Sequence, residues 1–535
     1  MANSKTCQID TITYSIRTFM ENIFLTGFMG AGKTTVAAAL SNLLKRPAVD
    51  LDDLLEKDFG CTIAEFFAAH GEAAFRKRET ELLESVAQDD RLIVATGGGL
   101  PVSPSNRKIM RANGTIVLLD LPFDAIAARL EQNTATRPNW KSRDDAKKLF
   151  NSRKAAYHDC DITVDADRPA EIVAADILQK ISGLKPFTAD IDGVKLPVSP
   201  TFNAPSELSQ TIADKAYSAV VFITDDNVAA AHLPRYQRAL PHAISIIIRP
   251  GEDSKTLSQA ENVYRQLLQL NIGRDALIIA IGGGLVTDFG AFIAATYKRG
   301  IDFMLVSTSL LGCVDAVVGG KTAVNIAHYK NQVGLFALPK AIFLDLAALA
   351  TLPEQRVREG LVEAYKTGLV CHYNLARFID ENLERLVGGD LPLIAKVAAA
   401  SAHAKAEVVH QDFREKGLRK ILNLGHTYGH AVETWSEERI SHGLCVAQGM
   451  IVAMHIAMKR HYINAELAEN QLEVVRALRG PSFPVPSAEE AFPLMMADKK
   501  NTNAKITFIL PHTKEGFKLV QDITPAELQS AIDAI

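Results

Sequence analysis

Ile23-Phe-Leu-Thr-Gly27-Phe-Met-Gly-Ala-Gly32-Lys33-Thr34-Thr35 decides how the first part of the chain folds. Residues 23–26 read as a short buried strand, and the apolar spacing from Val36 to Leu44 reads as a helix. Between them stands G-x-x-x-x-G-K-[ST], a glycine turn whose backbone N–H groups wrap a phosphate at a helix N-terminus. Strand before and helix after is the context in which this motif binds a nucleoside triphosphate. Gly30, Ala31, Gly32 and Thr35 then line the phosphates, Lys33 reaches the terminal ones, and the Thr34 hydroxyl faces Mg²⁺.

Working outward, Ala48-Val-Asp50-Leu-Asp52-Asp53 reads as a strand ending in carboxylates, and Gly71-Glu-Ala-Ala-Phe-Arg76-Lys-Arg-Glu79 as a helix carrying a cation. Asp53, Lys77 and Arg78 read as solvated surface. Leu92-Ile-Val-Ala-Thr-Gly97-Gly98-Gly99 is a strand running into glycines, where a ligand can approach backbone closely. Arg137-Pro138 opens a polar stretch to Asp145 with the composition of a lid, and Arg153 is expected to begin the last helical segment of this unit.

The segment from Asn22 to about Ile181 resembles shikimate kinase, with several separated motifs at that family's spacing. The resemblance implies a parallel sheet with helices, and ATP-dependent phosphorylation of shikimate. It implies Asp50 near the Mg²⁺ shell, Asp52, Arg76, Gly98, Gly99 and Arg153 around shikimate, and Arg137 on the phosphoryl group in flight. The lid departs from the pattern, since Arg137-Pro-Asn-Trp-Lys has no Leu-Leu after the proline. The alternative is another small-metabolite kinase, against which Asp52, Arg76 and the three glycines speak.

The whole chain has 535 residues, 47% apolar and 22% charged, enough for three or four core-bearing units. A net charge of -4 gives no reason to expect nucleic acid or an anionic membrane as partner. Cys7, Cys61, Cys160, Cys313, Cys371 and Cys445 are scattered without a C-x-x-C, which fits reduced thiols and a cytoplasmic location. The first 21 residues lack an apolar core and read as an extension rather than a signal peptide. The kinase-like unit spans 22–182. Glycines and prolines mark 183–200 as a linker grading into the first strands of a second unit.

In that second unit, Ala219-Val-Val-Phe-Ile-Thr-Asp225-Asp-Asn227 is an apolar strand ending in polar groups. Leu277-Ile-Ile-Ala-Ile-Gly282-Gly-Gly-Leu-Val-Thr-Asp288 is a strand, a glycine turn and a helix start suited to a pyrophosphate, though not G-x-G-x-x-G. Helical periodicity dominates from about Thr351. The unit therefore divides into an α/β half, 201–350, and a mainly helical half, 351–535, with a cleft between. Cations crowd the joining segments: Arg299, Lys321, Lys330, Lys366, Lys405, Arg419, Lys499 and Lys500, with Asp315, Asn325 and Asn331 among them. So many beside glycine turns on an acidic chain point to a phosphorylated substrate, although lysines such as 499 and 500 are as readily plain surface.

Asn423-Leu-Gly-His426-Thr-Tyr-Gly-His430 sets two imidazoles four apart, on one face if the stretch is helical, with His442 beyond and Glu363 as a distant third ligand. An isolated i, i+4 pair is weak evidence of a metal, since two histidines share a face whenever a helix packs.

Residues 190–535 resemble 3-dehydroquinate synthase. The carrying motifs are Gly282-Gly-Gly-Leu-Val-Thr-Asp288, Asp315-Ala-Val-Val-Gly-Gly-Lys321-Thr, Lys330-Asn331, Gly360-Leu-Val-Glu363-Ala-Tyr-Lys366, Gly417-Leu-Arg419 through His430, and His442-Gly443. The resemblance implies Zn²⁺ or Co²⁺ on Glu363, His426 and His442, with His430 as a neighbouring acid–base or positioning group, which replaces the i, i+4 ligand pair. It implies NAD on Asp225, Asn227, Glu252, Lys255, Gly283, Gly284, Asp288, Thr308, Ser309, Lys321, Lys330, Thr351 and Leu352. It implies a heptulosonate phosphate on Arg299, Asp315, Lys321, Asn331, Lys405, Arg419, Asn423, Lys499 and Lys500, with Lys321, Lys366 and Lys405 in the chemistry and Arg299 acting across a homodimer interface. Ser309, Ala316-Val317, Tyr329 and Leu444-Cys445 stand where the family usually carries Thr, Ser-Ser, Gly and Glu-Ala.

The expectation is a bifunctional enzyme of aromatic amino acid biosynthesis, kinase first and cyclase second, acting on small molecules. The alternatives for the second unit are another sugar-phosphate cyclase or a metal-dependent polyol dehydrogenase. A catalytically dead scaffold is the alternative from another class, and the presence of every ligand and phosphate-loop residue argues against it.

Overall fold

The glycine turn at 27–32 joins strand β1 (Asn22–Thr26) to helix α1 (Lys33–Leu44), and both bury apolar side chains on a common core. A computed structural model describes residues 21–132, 142–327, 329–497 and 506–535. The expected positions Arg137, Lys499 and Lys500, and nearly all of the N-terminal extension, lie outside these described residues. The chain forms two compact units that divide after Leu184.

In the first unit, β2 (Ala48–Asp50), β3 (Ile93–Ala95), β4 (Gly114–Asp120) and β5 (Ile162–Asp165) join β1 in a parallel sheet of order β2-β3-β1-β4-β5. Buried on both faces, its central strands read as near-continuous apolar runs, as in Ile116-Val-Leu-Leu119. Helix α2 (Leu51–Phe59) starts at Asp50, whose side chain caps it, and α3 (Ile63–Val86) opens with a Thr62/Glu65 capping box. Within α3 the backbone breaks at Gly71, φ 80° and ψ 169°, so Arg76 follows a kink. Helix α4 runs from Arg143 to His158 behind the Ser142 cap, and α5 (Ala170–Ser182) closes the unit. Arg153 therefore stands in the middle of α4, one helix before the last, instead of opening the last segment. The polar composition of 142–145, read as lid, is that of a capped first helical turn.

The second unit begins sooner than its composition suggests. Strands β6 (Phe187–Ile191) and β7 (Val194–Thr201) form an antiparallel hairpin inside the residues read as linker, leaving 183–186 as the connection. The signal for these strands was diluted by Pro197 and Pro200, one of which lies on the ladder opposite an edge strand. With β8 (Val220–Asp225), β9 (Ile244–Ile248), β10 (Leu277–Gly282), β11 (Asp302–Ser307) and, further along, Ile342–Asp345, they build a seven-stranded sheet, parallel apart from the hairpin. Helix α6 (Gly284–Thr296) leaves β10 at the glycine turn. A two-stranded ribbon, β12 (Lys321–Ile326) and β13 (Tyr329–Phe336), precedes the last sheet strand, β14 (Ile342–Asp345). Then come α7 (Glu354–Cys371), α8 (Leu391–Gln411), α9 (His426–Trp435) and α10 (His442–Lys459), with a hairpin at Phe508–Val520 as the exception to the helical expectation.

Two candidate sites built on glycine turns

In the kinase-like unit the turn needs its glycines: Gly27, Gly30 and Gly32 have φ of 143°, 79° and 90°, and a Cβ on Gly27 would lie 2.9 Å from the Leu119 carbonyl. No side chain caps α1, so its first N–H groups remain for an anion. The Lys33 ammonium donates to the Gly27 and Phe28 carbonyls at 3.0 and 3.1 Å, curled over the same turn. The Thr34 hydroxyl donates to Asp50 Oδ2 at 2.6 Å, so hydroxyl and carboxylate already share one point beside the phosphate loop. Arg129, not picked out from the sequence, comes within 3.9 Å of where a Gly32 Cβ would stand.

A second cluster faces Gly97–Gly99. A Cβ on Gly97 would meet Asp52 Oδ1 at 2.6 Å and Glu79 Oε1 at 3.0 Å, and one on Gly99 would collide with the Arg76 guanidinium. The Gly98 carbonyl accepts from Arg153 Nη1 at 3.1 Å and Tyr157 Oη at 2.6 Å. The structure thus brings together Asp52, Arg76, Gly98, Gly99 and Arg153, as expected, and adds Glu79 and Tyr157. Glu79 is buried and bonds Arg76 at 2.7 Å, aiming its guanidinium. Its place at i+3 from Arg76 was visible, but only burial separates it from the many surface acids of that helix. Burial raises the carboxyl pKa of both Asp52 and Glu79, with Asp50 adding to Asp52 and Arg76 opposing the rise at Glu79.

In the second unit β10, Gly283 and α6 repeat the strand–turn–helix arrangement, again with no side-chain cap. Cβ atoms on Gly283 and Gly284 would come within 3.1 Å of Ser309 Oγ and Ala316 Cβ, so this turn leaves little room for anything larger than glycine. Thr308 N donates to the Gly282 carbonyl at 2.9 Å. Lys255 is buried, pairs with Asp288, and donates to Asn331 Oδ1 at 2.6 Å. Asn325 donates to Glu252 Oε1 at 2.8 Å. Asp225 caps the short helix Asp226–Ala231, and Thr351 stands 3.1 Å from His232. On β13 the neighbours Lys330 and Asn331 diverge: Asn331 meets Lys255, whereas Lys330 pairs with Glu433 and Glu438 at 2.8 and 2.9 Å, on the side of His442.

The lysines at and beside the helical half are held by carboxylates. Lys366, buried, pairs with Glu363; Lys405 donates to Asp315 Oδ1 at 2.7 Å; Lys321 pairs with Glu415, which also accepts from Asn423 at 2.7 Å. Glu415 was missed in the sequence because it lies between motifs, in a loop of mixed charge. Arg419 is buried and donates to the Gly319 and Phe413 carbonyls at 3.2 and 2.6 Å. It and Asn423 lie in a 3-10 turn, not on the face of α9. Burial, Arg419 and Lys321 push the Lys405 pKa down to about 8 against the pull of Asp315, which is itself held well below the usual carboxylate range by Lys405 and Lys366 despite burial. Burial lowers the Lys366 pKa less than Glu363 and Asp315 raise it. Arg299 is exposed and follows the far end of α6, thirteen helical residues or roughly 20 Å from the glycine turn. The structure therefore does not bring it to the other cations of its own unit.

Glu363, His426 and His442 converge with ligand atoms within 4.8 Å of one another. Glu363 Oε1 is buried without a hydrogen bond, 3.8 Å from His426 Nε2 and 3.6 Å from His442 Nε2. Those separations are close to the edges of a tetrahedral site with bonds near 2.1 Å. His426 Nδ1 is 3.2 Å from the Leu424 carbonyl, so it carries the proton and Nε2 presents a lone pair. His442 Nδ1 is held by Glu433 Oε2 at 3.2 Å in the same sense. Burial would lower the His442 pKa, but Glu363 and Glu433 outweigh it and push it up to about 10. A divalent cation would replace the proton that this pKa leaves on His442 Nε2, and an orphaned carboxylate oxygen between two imidazole Nε2 atoms fits such an ion. His430 groups with Glu433 and His442, its ring 5.3 Å from that of His426.

These two constellations define a phosphate-loop phosphotransferase joined to an α/β enzyme with a backbone cradle and a His–His–Glu centre. Comparison with known proteins agrees with that division. Residues 29–182 match the shikimate kinase family, 245–359 the N-terminal and 360–501 the C-terminal part of 3-dehydroquinate synthase. The bifunctional shikimate kinase/3-dehydroquinate synthase of Thermotoga maritima is 30% identical over 96% of this chain and 100% of its own length. A 2-deoxy-scyllo-inosose synthase complexed with carbaglucose-6-phosphate, NAD⁺ and Co²⁺ superposes with a TM-score of 0.59 at 23% identity, covering 65% of this chain and 100% of its own. The 2-epi-5-epi-valiolone synthase of Streptomyces hygroscopicus subsp. jinggangensis, with NAD⁺ and Zn²⁺ bound, gives 0.58 at 24% identity over 63% of this chain and 95% of its own, and both likenesses are of fold. The chain belongs to the family of bifunctional shikimate kinase/3-dehydroquinate synthase enzymes, and the shikimate pathway is where such an enzyme works. Among the described residues no helix is long and apolar enough to cross a membrane.

Proposed function

We propose that the first unit transfers the terminal phosphoryl group of ATP to shikimate, giving shikimate 3-phosphate. The second converts 3-deoxy-D-arabino-heptulosonate 7-phosphate to 3-dehydroquinate with release of phosphate. The observation that carries the reading is that each glycine turn lies in the same compact unit as a polar cluster matched to one of these substrates.

In the kinase, the α1 N-terminus and Lys33 hold the phosphates, while Thr34 and Asp50 are placed to hold Mg²⁺. Arg76 and Arg153 take the shikimate carboxylate, a fork geometry that suits arginine. Glu79 keeps Arg76 in place, and Asp52 accepts from the substrate hydroxyl. Arg137 would balance charge on the group in transfer.

In the synthase, the Gly282–Gly284 cradle and Lys255, Asp288 and Asn331 would hold NAD, with Asp225, Asn227, Glu252, Thr308, Ser309, Thr351 and Leu352 around it. Glu363, His426 and His442 would hold Zn²⁺ or Co²⁺. When bound, these groups supply hydride acceptance and return, and acidification of the substrate hydroxyl. The chain's own residues do the rest. Lys321, Lys405, Arg419 and Asn423 orient the substrate polar groups. Lys366, next to Glu363, balances negative charge there. His430, beside the centre, moves the hydroxyl proton. Arg299, so far along α6, serves the partner subunit's site in a homodimer, and Lys499 and Lys500 add to the phosphate-binding charge.

The test is phosphate release from the heptulosonate phosphate by metal-stripped protein, with Zn²⁺ and NAD⁺ added back while NADH absorbance is followed. Release that needs both additions, with no net NADH, is expected. Net NADH without phosphate would make the second unit a dehydrogenase. ATP consumption that depends on shikimate, measured on the same preparation, tests the first unit.

A further inference from the structure

Helix α7 presents a second carboxylate one turn before Glu363, on the same face. Glu359 is 3% exposed. Its Oε2 accepts from Arg356 Nη1 at 2.8 Å, but its Oε1 is buried with no hydrogen-bond partner among the described residues. Across from it begins α10, the helix that opens with His442. Gly443 packs directly on Glu359: a Cβ there would lie 2.7 Å from Glu359 Cα and 2.8 Å from its Cβ and carbonyl oxygen. The carboxylate is also near enough to the Cys445 thiol to help raise its pKa, after burial and Glu433.

The α10 N-terminus has a matching deficit. Ser441 is a residue type that ordinarily caps a helix, yet its hydroxyl caps nothing here, and its Oγ is also buried without a partner. Leu444 supplies no acceptor. Two orphaned buried oxygens, one acceptor-only and one able to donate, therefore belong to Glu359, on which Gly443 packs, and to Ser441, two residues before Gly443 in the chain. Buried polar atoms are nearly always satisfied, by protein or by ordered water.

We propose that Glu359 is a positioning residue for His442: its Oε1, joined to Ser441 through a buried water, pins the start of α10 and so fixes where the His442 ring presents Nε2. The two carboxylates one turn apart on α7 would then hold one histidine from two directions, Glu363 at the ring and Glu359 at the backbone. This rests on the reading of Glu363, His426 and His442 as the metal centre, and the experiment separates the two.

Zn²⁺ affinity is measured by competition with a chromophoric chelator, and the Co²⁺-loaded protein is read by its visible d–d bands, for wild type, His426→Ala, Glu359→Gln, Ser441→Ala and Arg356→Gln. Glu359→Gln keeps the shape, so the fold is expected to stand, with circular dichroism as the check. Its Zn²⁺ affinity is expected to fall about tenfold, the lower range for residues that support a ligand from behind, with altered Co²⁺ bands. Ser441→Ala should shift both in the same direction by less, and Arg356→Gln, on the Oε2 side, should leave both unchanged. If His426→Ala lowers affinity but Glu359→Gln leaves affinity and bands as in wild type, the inference is wrong and the centre stands. If His426→Ala changes nothing, the centre is misread and the inference falls with it. Equal losses in Glu359→Gln and Arg356→Gln would also overturn it, since Oε1 would have no special part.

Discussion

The two sites answer the same demand, holding anionic substrates on a chain with a net charge of -4, by different means. The kinase site relies on open backbone N–H groups, one lysine resting on carbonyls and two arginines over glycines. The synthase site stores its buried cations as ion pairs, Lys255 with Asp288, Lys366 with Glu363 and Lys405 with Asp315, and holds exposed Lys321 on Glu415. Backbone donors cost nothing to leave facing a cleft that water can fill. A buried cation without a counter-charge is expensive, so each must be neutralised until substrate arrives. Apart from the Arg76–Glu79 pair, function and stability are therefore separable in the first site and entangled in the second.

The largest expected effect tests that separation. His426→Ala should lower synthase turnover on the order of 10³-fold, with loss of bound metal, and leave the kinase within about twofold of wild type. Lys33→Ala should do the converse, removing roughly 10²–10³-fold of kinase activity at unchanged synthase rate and unchanged melting temperature. Assays of both reactions on each variant check this, and a double loss from either would break the picture of two independent machines. Lys366→Met bears on the second site: removing the buried lysine counter-charge of Glu363 should destabilise the metal-free second unit by about 3–5 kcal/mol, read as an earlier calorimetric transition.

Smaller effects follow from pH. Asp52 must be ionised to accept from the substrate hydroxyl, and burial raises its pKa, so kinase kcat/KM should fall with acidification at a pH above the ordinary aspartate range near 3.9. Lys405 must be cationic, and its pKa is about 8, so synthase kcat/KM should fall as pH rises through that value. The stability contribution has the opposite sign: above about 8 the unfolded chain holds a proton that the folded chain has lost, so this group makes folding more favourable up to the ordinary lysine pKa near 10.4. Smallest of all, cutting the chain within residues 183–186 should change either activity by less than about twofold, since each site lies wholly inside one compact unit.

The glycine turns were legible in the sequence as local signals, whereas the grouping of Glu363, His426 and His442 came from the family resemblance, the local i, i+4 spacing having pointed to His426 with His430. Lys33, Thr34 and Gly283 stand where strand–turn–helix patterns put them. What stayed hidden depends on partners far away in sequence. Glu79 and Glu415 look like any surface acid until Arg76 and Lys321 are seen beside them. The place of Arg153 in mid-helix was obscured because Ser142 and the polar first turn of α4 have lid-like composition. The hairpin at 187–201 was hidden by Pro197 and Pro200, residues that ordinarily argue against a paired strand, although β7 lies between β6 and β14.

That hairpin also bears on how the chain is made. Val198 finds its parallel neighbour in Ile342, so β7 leaves the ribosome long before the strand that completes its ladder. The kinase sheet, by contrast, is finished once β5 and α5 have emerged. During synthesis the first unit can mature while the second still exposes an unpaired strand, the condition in which chains aggregate or need a chaperone. The order of the two units in the chain thus gives the more local sheet the first turn, and leaves the closure of β7 on β14 to wait for residues 342–345.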